Sequence, residues 1–211
     1  MKAYLILFLS LALSLNAYSQ NDGPSKRLRL GLNYGQASQN KFPLDNPNYA
    51  YSNQYLKFQI NFSSVKDKKL SYEFNIEPSL YLSEHQLLNE NFIQPDDNPD
   101  YLNQRALFTK ERSFQEYVVN FGIILRYKIT HEFSSYLLGS IGPMWATAET
   151  ERLKKGFAFS DILGLGFSYQ INKVVLDLRT TLRHNSNANL SKPNHGHNSV
   201  GIETGISFFL R

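Results

Sequence analysis

Eight segments of the chain alternate apolar and polar residues with a period of two, and each has the roughly 9–13 residues that a tilted strand needs to cross a bilayer. The clearest runs Leu70, Tyr72, Phe74, Ile76 and Leu80 against Ser71, Glu73, Asn75, Glu77 and Ser79. In the others the marking apolar positions span 28–34, 56–62, 117–127, 133–145, 157–169, 174–182 and 200–210, the fifth segment being glycine-rich and less regular. Successive strand residues point to opposite faces, so each segment carries one apolar and one polar face. A soluble sandwich also alternates, but its strands are nearer 5–6 residues. Tyr34, Tyr72, Tyr117, Tyr127 and Tyr169 stand near the ends of apolar faces, as interfacial girdles do. The pattern predicts an all-β fold, an eight-stranded antiparallel transmembrane β-barrel filling residues 20–211 as one domain. Glu73, Glu77, Arg126, Asp177, Arg179, Arg183 and Glu203 then face a narrow lumen as a polar network.

The connections agree. Three are short, at 63–69, 130–132 and 170–172, and four are long, at 37–53, 84–113, 148–155 and 187–197. Short periplasmic turns alternating with longer external loops are what an outer-membrane barrel predicts. The third-strand loop, with Pro95 and Pro99, is the longest. Pro78 and Pro143 run against the pattern, because each removes a ladder donor from its strand.

The chain starts with Met1-Lys2, an apolar run to Leu15, and the small residues of Ala17-Tyr18-Ser19. That run is short for a spanning helix, and residues 1–19 read as an export signal cleaved before Gln20. Export and a barrel together point to the outer membrane of a Gram-negative-type cell. The absence of cysteine excludes a disulfide framework, thiol chemistry and a lipidated N-terminal cysteine. A formal charge of +4 fits an anionic lipid surface, and no basic–aromatic interleaving suggests nucleic acid.

Chemistry concentrates between His184 and Asn198. In the seventh segment Val174, Leu176, Leu178, Thr180, Leu182, His184 and Ser186 share one phase, and its apolar members mark that face as lipid-facing. His184 and Ser186 therefore point outward at the extracellular rim, where a polar pair is costly and invites a functional reading. Serine needs a base to become a nucleophile, and histidine supplies one near neutral pH. An oxyanion needs donors, and the following loop offers Asn187, Asn189 and Asn194. The bland alternative is a solvated polar loop at a barrel rim. Lys154, Lys155 and Arg183 are candidates to meet anionic headgroups or simply soluble surface, and His195 and His197 read as solvated loop residues rather than a metal pair.

His184-Asn185-Ser186-Asn187-Ala188 followed by Pro193-Asn194-x-Gly196 resembles the signature of the lipid A 3-O-deacylases, eight-stranded outer-membrane barrels whose relatives are often labelled acyloxyacyl hydrolases. The resemblance implies hydrolysis of the acyl ester at the 3 position of lipid A, with Ser186 as nucleophile and His184 as base. It implies an oxyanion hole from the Asn194 side chain and the Asn189 backbone N–H, Asn189 standing where the family often has glycine. No metal or organic cofactor is implied. Where the family places a glutamate this chain has Asn198, whose amide oxygen shares the outward phase and can orient an imidazole, as in Cys-His-Asn systems. It cannot stabilise imidazolium as a carboxylate does. Glu203 is the next acid downstream, but its phase points it into the lumen. Two alternatives stay open: a non-catalytic barrel used for adhesion, interaction or membrane integrity, and an esterase acting on glycerophospholipid.

Overall fold

A strand in lipid has no water to satisfy its backbone, so the sheet must close on itself. The computed structural model describes residues 26–64, 69–95 and 99–210, and in it the sheet does close. Residues 1–19, read above as an export signal, lie outside the described residues. The strands are β1 (Lys26–Ser38), β2 (Tyr49–Ser64), β3 (Leu70–Leu87), β4 (Arg112–Lys128), β5 (Phe133–Ala146), β6 (Gly156–Ile171), β7 (Val174–Ser186) and β8 (His197–Leu210). Each pairs antiparallel with its neighbours in the sequence, and β8 returns to β1 from Leu28↔Leu210 to Ser38↔Val200.

The strands run to 13–18 residues, longer than the alternation suggested. Beyond the bilayer the outward side chains become polar, so the hydropathy contrast fades while the ladder continues. Tyr49↔Leu87 and Tyr51↔His85 pair in that upper zone. Both prolines are absorbed on one side of their strands. The β2–β3 ladder skips from Lys57↔Ser79 to Ile60↔Ile76 in unchanged register, while Pro78 still pairs with Val119 of β4. The β4–β5 ladder likewise skips from Val118↔Met144 to Phe121↔Ile141, while Pro143 pairs with Phe159 of β6.

The barrel is apolar outside and polar inside. Ile123, Ile141 and Leu163 are exposed to 60%, 58% and 58%, whereas Glu77, Glu116 and Asn120 are fully enclosed. That inversion of a soluble core is stable only with hydrocarbon around it. Outward aromatics gather at the two ends, with Tyr72, Tyr127 and Tyr169 at one and Tyr34, Tyr117, Trp145 and Phe157 at the other.

Buried charge is tolerable only when paired and hydrogen-bonded, and the lumen pairs it in layers. At the turn end Glu73 takes Arg126 at 2.5 Å and Arg29 at 3.0 Å, with Asp177 at 3.5 Å from Arg29. At mid-height Arg179 bridges Glu77, at 2.9 Å, and Glu203, while Lys57 meets Glu203 at 2.8 Å. Above them Arg183 holds Glu116 at 2.7 Å and Ser160 at 2.8 Å, and Tyr51 donates to the same carboxylate at 2.9 Å. Cations and anions thus balance layer by layer. Arg183, considered above for a place at the rim, is a luminal residue; its odd phase puts it on the face of β7 opposite to His184.

The loop between β3 and β4 is not featureless. It carries a 3-10 turn at Glu90–Phe92 and the helix α1 (Tyr101–Phe108), pinned by Arg105, which donates twice to the Ile93 carbonyl, at 3.0 and 2.8 Å.

Arg179→Met should leave Glu77 and Glu203 with Lys57 as their one shared cation and cost about 3–5 kcal/mol in urea unfolding from detergent micelles. Adding Glu77→Gln to that variant should recover part of the loss, because Glu203 alone is then matched by Lys57.

Candidate active site

β7 carries His184 and Ser186, the pair singled out in the sequence. Its burial alternates strictly, with Asp177, Arg179, Thr181, Arg183 and Asn185 enclosed and Leu176, Leu178, Thr180 and His184 exposed. His184 and the half-buried Ser186 therefore lie on the outer, lipid-side face at the end of the strand that leads into the long external loop.

Register then decides what faces His184. On one side it pairs with Asn198 of β8, and Asn198 Oδ1 lies 2.7 Å from His184 Nδ1. An amide oxygen only accepts, so the contact keeps a proton on Nδ1 and leaves Nε2 with a free lone pair. The Asn198 N–H donates to Tyr49 Oη at 3.3 Å, tying this end of β8 to β2. On the other side His184 pairs with Asp161 of β6. Asp161 has outward phase with Phe157, Phe159, Leu163 and Leu165, so Asp161, His184 and Asn198 form one cross-sheet row. Asp161 is absent from the candidates drawn from sequence, although its odd number places it on the lipid face. Among the described residues no hydrogen bond joins Ser186 to His184; the two share a face and a strand.

The loop 187–196 is held from within. Asn187 is fully buried, and its Nδ2 donates to the Ser191 carbonyl at 2.8 Å and to Ser191 Oγ at 3.0 Å. Considered above as an oxyanion donor, it is spent instead on closing the loop. Its backbone N–H donates to Asn194 Oδ1 at 2.7 Å, and Asn194 Nδ2 donates to Asn189 Oδ1 at 3.0 Å. Asn194 thereby presents its amide nitrogen, which has two hydrogens, toward Asn189. Ala188 and Asn189 sit at φ 51° and 62°, left-handed conformations that asparagine tolerates and alanine adopts only under constraint. Among the described residues no carbonyl or side chain accepts from the Asn189 N–H.

A second loop, 147–155, braces the first. The Arg152 carbonyl accepts from His195 N at 2.7 Å and Gly196 N at 3.1 Å, and Arg152 Nε donates to the Gly196 carbonyl at 2.7 Å. Leu153 bridges Asn194, and Lys154 N donates to the Pro193 carbonyl at 3.3 Å. The guanidinium lies over Tyr49, at 4.3 Å, and Phe92, at 5.1 Å, so three external loops meet at Arg152. Gly196 has φ 69°, and a side chain there would strike the Asn185 carbonyl and crowd the His184 ring at 3.1 Å. Partial burial and the nearby Arg152 guanidinium hold the His195 imidazole below its ordinary range.

His197, expected to be a solvated loop residue, is fully buried, stacked on Tyr51 with ring centroids 4.6 Å apart and joined to Thr150 Oγ1 at 3.2 Å. β8 starts at His197, and the inward phase of Ser199, Gly201 and Glu203 carries back to it. Lys154 pairs with Glu149 at 2.6 Å on the exposed surface.

Two pairs below the row Asp161–His184–Asn198, on the same face, comes the apolar row Leu163↔Leu182↔Val200. With Leu137 and Leu165 it lines an outward-facing groove of about 270 Å³.

Comparison with known proteins adds a family. The lipid A 3-O-deacylase (PagL) family matches residues 54–207, a span that includes every residue of the rim site. No curated protein matches in sequence. Among solved structures, the fold is similar to the outer membrane enzyme PagL at a TM-score of 0.54 and 13% identity, covering 84% of this chain and 97% of that one. It is also similar to Neisserial surface protein A at a TM-score of 0.51 and 13% identity, covering 87% and 96%. Both likenesses speak to the barrel alone.

Arg152→Ala removes the Nε bond to Gly196 and the stack on Tyr49 and Phe92, and should cost the loop about 1–3 kcal/mol. Amide exchange at 194–196 should quicken by about tenfold or more while that of the barrel strands stays unchanged, measured by hydrogen–deuterium exchange.

Proposed function

This chain belongs to the lipid A 3-O-deacylase (PagL) family, and from that premise we propose that it hydrolyses the ester-linked 3-O-acyl chain of lipid A at the outer-membrane surface, with Ser186 as nucleophile and His184 as base. The observation that carries the reading is the His184 Nδ1–Asn198 Oδ1 contact at 2.7 Å on the lipid-side face, which leaves Nε2 as the basic nitrogen for Ser186.

The Ser186 Oγ attacks the ester carbonyl carbon as its proton passes to His184 Nε2. The bond from that carbon to the sugar 3-oxygen then breaks, and the oxygen takes the proton from Nε2. The acyl group is left on Ser186. A water next gives a proton to Nε2 as its oxygen attacks the acyl carbon; the fatty acid departs and Oγ recovers its proton. The Asn194 amide and the Asn189 N–H are the donors to the oxyanion formed in each attack. Catalytic hydrogen bonds commonly tighten only with substrate bound, which accords with the open Ser186–His184 pair.

The surroundings suit a lipid substrate. A site facing outward at the rim takes its ester laterally from the leaflet, and the groove under Leu182 and Val200 receives an acyl chain while the sugar stays in the headgroup zone. Loop 187–196, locked by Asn187 and braced by Arg152, holds the donors rigid, and rigidity is what makes oxyanion stabilisation effective.

Mass spectrometry of lipid A incubated with the purified barrel should show loss of one 3-hydroxyacyl chain. Ser186→Ala should lower the rate by at least about a thousandfold, with His184→Gln comparable. Hydrolysis that survives Ser186→Ala, or intact lipid A with the unaltered protein in both detergent and bilayers, would sink the proposal. Asn198→Asp should raise the rate by about tenfold, since a carboxylate stabilises imidazolium where an amide cannot.

A further inference from the structure

A charged side chain on a lipid-facing strand is expensive and rarely without a task. Along the outward face of β6, among Phe157, Phe159, Leu163, Leu165, Phe167 and Tyr169, Asp161 is the one charged residue. It pairs directly with His184, and one of its carboxylate oxygens is buried without a hydrogen-bond partner. Directly opposed residues of an antiparallel pair have Cβ atoms about 4.5–5.5 Å apart. Asp161 is thus the cross-strand neighbour of His184 on the side away from Asn198, with no direct hydrogen bond between the two among the described residues. We propose that Asp161 supplies the negative charge that Asn198 lacks, so that two residues on two strands divide the work of a triad acid. Asn198 fixes the tautomer through its hydrogen bond, and Asp161 stabilises the imidazolium that forms when Nε2 takes the Ser186 proton.

The assignment rests on the Ser186–His184 reading above. The other acids near this end of the sheet are turned away from His184: Glu151 of loop 147–155 is buried against His85 at 3.2 Å, and Glu116 of β4 is held in the lumen by Arg183 at 2.7 Å. From β8 come Asn198 on the same face and His197 on the inner one, and the loops above bring Arg152 and His195. Glu203, lower on β8, is turned into the lumen and held by Lys57 and Arg179. A unit charge about 6 Å from the imidazolium, at an effective dielectric near 20, is worth roughly a hundredfold in the rate of a step that forms it. Asp161 is therefore a positioning residue that acts through His184.

The test is the pH–rate profile of lipid A hydrolysis in mixed micelles for Asp161→Asn and Asp161→Ser. Both remove a charge from the lipid side and should fold at least as well as the parent, checked by the gel mobility of the unheated barrel. The expected result is a loss of about 10–100-fold carried by kcat with KM nearly unchanged, because the charge matters only once imidazolium forms. The acidic limb should move to lower pH, since less acid is needed to hold the base protonated when a negative neighbour is present than when it is gone. Asn198→Asp added to Asp161→Asn should restore most of the rate. A loss carried by KM, an acidic limb that stays in place, or no rescue by Asn198→Asp would overturn the assignment. Hydrolysis independent of Ser186 would instead overturn the reading beneath it, so the two failures are told apart by the Ser186→Ala control.

Discussion

The closure of β8 onto β1 is the constraint from which the rest follows. An open sheet in hydrocarbon would leave a row of unsatisfied backbone groups on each edge, several kcal/mol apiece. Closure satisfies them, and it also divides every strand into a lipid face and a lumen face with no third choice. A single residue of slip in any ladder would turn a whole strand inside out, driving Glu77 or Arg179 into lipid and Leu165 or Leu178 into the charged interior. The register through Pro78 and Pro143 is held unbroken, each proline giving up bonds to one neighbour while keeping the other.

The rim site is built by the same device. His184 and Ser186 come from one strand phase, while Asp161 and Asn198 arrive from the flanking strands by register alone. No loop has to fold correctly for those four to share a face. Loops enter only for Asn189 and Asn194, the proposed oxyanion donors, and there the chain spends polar side chains on rigidity: Asn187 closes the loop, and Arg152 clamps it from 147–155. The luminal charges serve a different end. They fill a barrel too narrow for a channel and cross-link strands through its centre, as Arg183 does between Glu116 and Ser160.

Much of this is legible in the order of the residues. Alternation locates all eight strands, the phase of β7 puts His184 outward, and the shared phase of Asn198 anticipates the contact that closes at 2.7 Å. The tolerance of asparagine for left-handed backbone anticipates Asn189 at φ 62°. The charged residues assigned to the lumen are all there. Other features escape for identifiable reasons. The strands outrun their hydropathy signal because ladders persist into water, so His197 reads as loop although it begins β8. α1 carries too little amphipathic pattern to mark itself inside a long polar loop. Asp161 has the right phase, but a lone acid in an aromatic strand means little until something is known to stand opposite it.

A period of two is a property of the individual strand and needs no partner. Sequence was therefore enough for the barrel, for the division of residues between lipid and lumen, and for the outward placement of His184 and Ser186. Which residues meet is settled only in the assembled sheet: Asp161 with His184, Arg179 with Glu77, Arg152 with Gly196. Those pairings depend on where each strand is offset against its neighbour. The offset is set by the turns and by closure of the whole ring, which no local stretch of the chain encodes.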